Sequence, residues 1–206
     1  MSLPDFALLG DRIGLHPLDI NRDAPEWYAI MQDPAMHGWT GNRVPGSLDE
    51  VRDEALATYA QHPGLWVWVV RSVADGGLAG LYWMGIPQRQ EPGKILSFDA
   101  QRIARRYWRT GVTPEARKLV YHYAFSHLGV DEMHAAAWAG NVNSCRSMEA
   151  SGFRLLEAQK RWNAKRQESL LEHHYVLLRE EGLAAASRRI ERCPLGLIDR
   201  TPFGGI

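Results

Sequence analysis

Residues 65–86 read LWVWVVRSV-ADGG-LAGLYWMGI. Two apolar runs, 65–73 and 78–86, flank a four-residue Ala-Asp-Gly-Gly break. Runs of this length, rich in Val, Leu and Trp and joined by Asp-Gly, form an antiparallel hairpin. Everything else in the chain has to be arranged around that pair. Arg71 interrupts the first run, which is far too short to cross a bilayer.

The flanking segments supply further elements. Residues 12–20 alternate and read as a strand. Residues 24–33 read as a helix with Pro25 near its start. Residues 47–62 read as a second helix, capped by Ser47 with Glu50 three residues on and Val51, Ala55, Leu56 and Tyr59 along one face. Residues 94–104 form another strand. Thr113, Pro114 and Gly129 bracket a helix over 113–129. A strand at 132–140, a short helix at 141–153, a closing hairpin over 154–180 and a last helix at 180–193 complete the order. This succession predicts one α/β (α+β) domain over 1–193, with a mixed sheet, helices on both faces and a tail at 194–206. The length of 206 residues suits a single domain with its own core.

Charge narrows the function. Lys+Arg and Asp+Glu both total 24, so no overall field draws the chain to nucleic acid or to an anionic membrane. Neither is expected as a partner. Only Cys145 and Cys193 are present, without metal-ligand spacing, so no disulfide framework and no metal are expected. The N-terminus lacks the pattern of a signal peptide, and a cytoplasmic location is expected.

Two stretches carry chemistry. The first is YWRTGVTPEA, residues 107–116. A helix start leaves N–H groups without partners and carries partial positive charge, so it can hold an anion. Gly111 permits close backbone approach or a positive φ, and Arg105, Arg106 and Arg109 add charge. The plainer reading is an ordinary strand-to-helix turn. The second stretch is N141-x-x-S144 followed by E149-x-x-G152-F153. Asn141 at a strand end can bond an extended, amide-bearing ligand, or simply cap the next helix.

Together these stretches resemble the coenzyme A site of the GNAT superfamily of N-acetyltransferases, over roughly residues 10–180. The YWRTG and TPEA elements are similar to those of the subgroup that acetylates ribosomal-protein N-termini. The resemblance implies a mixed, mostly antiparallel sheet of six to seven strands that splays into a V, where acetyl-CoA enters. Backbone N–H groups from Arg109 through Thr110, Gly111 and Val112 to Thr113 would hold the pyrophosphate, with Trp108 beside them as a further cofactor-binding position. The strand near Ile103 would pair with the pantetheine amides, and Asn141 would bond the arm from the other side. Of the family turn Q/R-x-x-G-x-G/A only the central glycine, Gly111, is retained. Trp108 and Thr113 replace the outer positions. Thr113 puts a side chain where the family has almost none.

For catalysis, the resemblance places Met148 at the position where many members carry a proton-donating tyrosine. Ser144 is the expected substitute, assisting the leaving thiolate. Asp99, the only acid in KILSFDAQRIA, is expected as the general base, with a structural pairing to arginine as the plainer reading. His134 is a rival; Glu168, His173 and His174 are weaker ones. Trp39, in the loop between the first two helices, is expected to face the acceptor. Cys145 lacks an evident His/Asp constellation for nucleophilic catalysis. The implied activity is transfer of an acetyl group from acetyl-CoA to a primary amine, on a peptide N-terminus or a small molecule, by direct attack. Two other readings compete with it: a non-catalytic acyl-CoA-binding protein on the same fold, and a nucleotide binder. The latter lacks both G-x-x-x-x-G-K-[ST] and G-x-G-x-x-G. A homodimer is compatible with the implied activity.

Overall fold

The computed structural model describes residues 4–90, 93–190 and 198–199. One sheet organises them. Its strands are β1 (Ala7–Leu9), β2 (Ile13–Pro17), β3 (Leu65–Ser72), β4 (Leu78–Gly85), β5 (Gln88–Gln90), β6 (Lys94–Ile103), β7 (Glu132–Trp138), β8 (Arg154–Asn163), β9 (Glu168–Leu178) and β10 (Ile198–Asp199). The spatial order is β10-β1-β2-β3-β4-β6-β7-β9-β8, with β5 on β6. All pairings are antiparallel except β6 with β7. The hairpin read at 65–86 is β3 and β4, at the centre of the sheet. The two-residue β10 lies within the expected tail and pairs with β1; the remaining tail lies outside the described residues.

Two cores follow from strand alternation, which sends successive side chains to opposite faces. On one face Trp68, Val70, Tyr82 and Met84 pack against helix α3 (Val112–His127) and helix α4 (Val142–Ala150). On the other, Val67, Val69, Leu81 and Trp83 pack against helix α1 (Ile20–Met31) and the helical segment that runs on to Gln61. Helix α5 (Arg179–Ile190) follows β9.

Three local readings are corrected. Helix α1 starts at Ile20, not 24, because the Asp19 carboxylate caps the N–H groups of Asn21 and Arg22; Pro25 is therefore one turn inside. The helix over 47–62 has the expected cap, with Ser47 Oγ accepting from Glu50 N–H and the Glu50 carboxylate accepting from Gly46 N–H. Its middle, Glu50–Leu56, is a π-helix, followed by helix α2 (Ala57–Gln61). This wider turn lets Val51 and Leu56, five residues apart, both enter the core. Finally, α3 is capped by Gly111 and not by Thr113. Pro114 still falls in the first turn, where its missing N–H costs nothing.

Candidate active site

The parallel ladder between β6 and β7 is short. It pairs Leu96 with Glu132, Ser97 with Met133 and Phe98 with His134, and then stops. Beyond that point β6 continues against β4 alone and β7 against β9 alone. The sheet therefore opens into a V whose apex is the Phe98–His134 pair.

The ladder phase identifies which main-chain groups face the opening. Ala104 N–H bonds to the Ala79 carbonyl, and Asp131 N–H bonds to the Ile95 carbonyl. Even-numbered residues of β6 thus face β4, and odd-numbered ones face β7. On β7, Ala139 N–H bonds to the Leu171 carbonyl, so Ala136 and Trp138 face the V. Past the apex the walls of the V present the main chain of Gln101 and Ile103 on one side and of Ala136 and Trp138 on the other. The Ile103 carbonyl is already used, accepting from Trp108 Nε1 at 2.6 Å. Its N–H remains directed into the opening.

The turn 107–113 closes the wide end of the same wall. Arg109 and Gly111 both have positive φ, 62° and 90°. Thr110 Oγ1 donates to the Tyr107 carbonyl at 2.7 Å. Among the described residues, no protein acceptor engages the N–H groups of Arg109, Thr110, Gly111, Val112 or Thr113. The first one to be taken up again is Glu115 N–H, on the Gly111 carbonyl. Five free N–H groups at the positive end of a 16-residue helix make an anion cradle. A Cβ on Gly111 would lie 2.9 Å from Arg12 Nη1. Arg12 is a further cation at the cradle that the sequence did not point to. It arrives from the β1–β2 turn, which is fastened by Arg12 N–H donating to Glu115 Oε1 at 2.8 Å.

Across the V, Asn141 caps α4, its Oδ1 accepting from Ser144 N–H at 3.3 Å. This is the plain capping role, and it leaves the Asn141 amide NH₂ as a donor. The half-buried Ser144 side chain has no hydrogen-bond partner among the described residues. Met148 is core. Cys145 lies behind Ser144, with Sγ 4.0 Å from His173 Nδ1, which in turn is 3.3 Å from Tyr175 Oη. The Tyr175 hydroxyl is pushed above its ordinary range by burial and by its neighbours Cys145 and Glu149.

Asp99 does not face the acceptor side. It lies on the α3 face of β6, its side chain wholly buried. Its Oδ2 accepts from Tyr82 Oη at 2.7 Å, Tyr121 Oη at 2.7 Å and Arg117 Nε at 3.3 Å. Burial pulls the Arg117 guanidinium down, but Tyr121, Asp99 and Tyr82 outweigh this and hold it above its ordinary value. Burial, reinforced by the Asp99 charge, pushes both tyrosine hydroxyls well up. A wholly buried carboxylate that already accepts from a guanidinium and two hydroxyls, on the face away from the acceptor, is not placed to meet an amine. Asp99 thus ties β6 to α3 from within the core, as the plainer reading expected, and does not stand where a base for the acceptor amine would.

Strand alternation instead aims Phe98 and His134 at the open face. Their neighbours Ser97, Asp99, Met133 and Ala135 are all buried on the opposite side. His134 Nε2 lies 3.1 Å from Glu132 Oε2, and Glu132 is also held by Lys94. Those two partners draw the Glu132 carboxyl down, Lys94 contributing most. On the same face His174 Nε2 is 3.0 Å from Glu172 Oε2. His173 points to the other face, beside Cys145, and Glu168 is at the far end of the β8–β9 hairpin.

Trp39 roofs the mouth. A Cβ on Gly140 would lie 2.3 Å from its Cη2, so the indole rests directly on the backbone next to Asn141. The Arg166 guanidinium stacks on the ring at 3.9 Å. Lys165 Nζ bonds to the carbonyls of His37 and Asn42 at 2.6 and 2.8 Å. The β8–β9 turn thereby pins the 37–42 loop across the acceptor side. Among the described residues no cluster of side chains could hold a metal ion, and no helix is long and apolar enough to cross a membrane.

This architecture recurs in solved proteins. A GCN5-related N-acetyltransferase from Brucella melitensis is 18% identical, with 91% of this chain and 85% of that one covered at a TM-score of 0.78. Mycobacterium smegmatis RimJ, solved with CoA-disulfide, is 19% identical over 90% and 93% of the two chains at 0.75. A chimera of the Vibrio cholerae spermidine N-acetyltransferase SpeG is 14% identical over 84% and 99% at 0.68. No curated protein sequence matches the chain. The profile of the acetyltransferase (GNAT) domain matches residues 12–154, which include the strand that splays, the anion cradle and the capped helix across the V. The chain belongs to the GNAT acetyltransferase family.

Proposed function

We propose that the protein transfers an acetyl group from acetyl-CoA to a primary amine, on a peptide N-terminus or a small molecule, by direct nucleophilic attack. One observation carries the reading: the free N–H groups of 109–113 and the unpaired strand edges of the V belong to a single opening. A ligand with a diphosphate at one end and an amide-bearing arm at the other fits both. The arm adds to the β6 edge as an extra strand would, meeting Gln101 and the Ile103 N–H, with Asn141 as the donor opposite. Thr113 lies in the first turn of α3 with its N–H among the free groups, so its side chain does not remove the cradle.

Beyond the apex, Gln101 N–H is the first free donor on β6, placed to stabilise negative charge on the thioester oxygen. The attacking amine must be neutral. His134, at the apex and on the open face, is the residue placed to take its proton, with Glu132 fixing the ring. The Ser144 hydroxyl donates a hydrogen bond to the departing sulfur. Phe98 and Trp39 offer apolar walls to the acceptor. The likeness to a spermidine N-acetyltransferase supports an amine acceptor, and the likeness to RimJ, solved with CoA-disulfide, supports the CoA site.

The test is thiol release from acetyl-CoA with a panel of peptide and small-molecule amines. Turnover above hydrolysis with at least one amine is expected. Tight CoA binding with no amine turned over would replace this reading with that of an acyl-CoA-binding protein.

A further inference from the structure

Arg71 and Arg117 enter the interior against carboxylates, Asp23 with Glu26 for the first and Asp99 for the second. Arg102 enters it without one. The residue is half-buried, and it has no ion-pair partner among the described residues. Its Nη2 donates to Asn42 Oδ1 at 3.3 Å, and its Nη1 reaches only the Met31 sulfur, a weak acceptor, at 3.7 Å. Burial pulls the guanidinium down, and Tyr59 alone opposes this. A desolvated cation without a counter-charge weakens a fold, so its presence here calls for a ligand that supplies one.

The place of Arg102 says which ligand. Arg102 pairs with Leu81 across the β4–β6 ladder, and Leu81 belongs to the core on the α1 side. The side chain therefore lies on the same face as Phe98, between the end of α1 and the 37–42 loop that crosses the acceptor side. Other groups there also favour an anion. Trp83 Nε1 and Thr40 Oγ1 are buried without hydrogen-bond partners. The Tyr59 ring lies 5.1 Å from that of Trp83, and the Tyr59 hydroxyl has no partner among the described residues. Lys165 and Arg166 reach the loop through carbonyls and the Trp39 ring, not through acids. Glu132 and Glu172, the acids of the open face described above, are each held by a cation and a histidine. We infer that Arg102 is a specificity residue that holds a carboxylate of the acceptor, an inference that rests on the transfer reading above. A guanidinium offers a carboxylate two parallel N–H bonds. Gln101, the donor to the thioester oxygen, is the adjacent residue, with Cα atoms about 3.8 Å apart. The carboxylate therefore stands a few bonds from the amine: the α-carboxylate of an amino acid, or the side chain of an acidic first residue of a peptide. A polyamine brings a further cation and no anion, and is disfavoured.

The test has a binding arm and a turnover arm. Protein saturated with CoA, which has no acetyl group to transfer, is titrated with alanine and alaninamide, with C-terminally amidated peptides beginning Asp or Asn, and with spermidine. The Arg102 Nε–H NMR signal is followed. At least one carboxylate is expected to shift it at a concentration about tenfold or more below that of its neutral counterpart, the worth of a charge-assisted bond. Selectivity within the alanine pair assigns the α-carboxylate; selectivity within the peptide pair assigns the side chain. With acetyl-CoA, Arg102→Gln is expected to raise the KM for the preferred acid about tenfold or more. The KM for its neutral counterpart and for acetyl-CoA should stay within about twofold, and the variant should melt no earlier than wild type because an unpaired buried charge is gone. A purely structural role would lower stability and move both acceptors alike. Acids and amides that bind equally, tighter binding of spermidine, or an Arg102→Gln variant that loses both acceptors to the same degree would overturn the inference. The two readings fail separately. A carboxylate that binds at Arg102 but is never acetylated removes the transfer reading alone, whereas equal turnover of acid and amide removes this one alone.

Discussion

Gly111→Val addresses the cradle at its most constrained point. Gly111 has φ 90° and ψ −3°, a conformation that costs an L-residue about 1–2 kcal/mol and a β-branched one more. The added Cβ would also meet Arg12 Nη1 at 2.9 Å, so the guanidinium has to move. If the turn keeps its shape, stability falls by about 2 kcal/mol, or about 4–8 °C in Tm for a chain of this size. If it escapes to negative φ, the N–H groups at 111 and 112 swing away from the ligand. Each hydrogen bond to a charged phosphate is worth about 1.5–3 kcal/mol, so losing one weakens CoA about 10- to 150-fold. The assay is calorimetric titration with CoA beside the KM for acetyl-CoA and a thermal melt. Gly111→Asn is the control, since Asn tolerates the left-handed region, and it is expected to stay within about threefold of wild type. A valine variant that melts earlier yet binds CoA with unchanged affinity would refute the argument that this turn holds the cofactor.

Other consequences follow from single contacts. Arg12→Ala is expected to raise the KM for acetyl-CoA about tenfold, an effect that increasing salt should diminish. Ser144→Ala is expected to lower kcat about tenfold, the worth of one hydrogen bond, with CoA affinity unchanged in the same titration. Asp99→Asn leaves Arg117 uncompensated in the core and is expected to destabilise the fold by about 3–5 kcal/mol, measured by denaturant unfolding. Burial raises the Asp23 carboxyl, but hydrogen bonds from Arg22, Arg71 and Asp19 N–H outweigh it and the net shift is downward. A carboxyl with a lowered folded-state value stabilises the protein above its unfolded value, and that contribution is lost as pH falls through the folded one. Wild type is therefore expected to lose stability below about pH 4, and Asp23→Asn to flatten that part of the Tm profile.

Much of this was legible in the chain. The Asp-Gly break between two apolar runs sets the central hairpin, and Ser47 with Glu50 marks a helix start that the structure realises. Gly111 and the Asn141–Ser144 spacing marked both walls of the V. What escaped is tertiary. Arg12 reaches the cradle only because Glu115 fastens a turn more than a hundred residues away. Asp99 and His134 are each a lone ionisable residue in a strand, and their roles depend on which face each one presents. A shift of one residue in phase exchanges the buried position and the one on the open face, and local sequence does not set that phase. Trp39 shows the same limit: its place on Gly140 comes from the packing of a loop against the end of β7.

The account rests on one ligand spanning the turn 109–113 and the β6 edge. Amide NMR of the isotope-labelled protein during CoA titration tests this most directly. The N–H signals of Arg109, Thr110, Gly111, Val112 and Thr113, with Gln101 and Ile103, should shift together with one dissociation constant, and their hydrogen exchange should slow. CoA binding that leaves those seven amides unmoved while shifting others would contradict it.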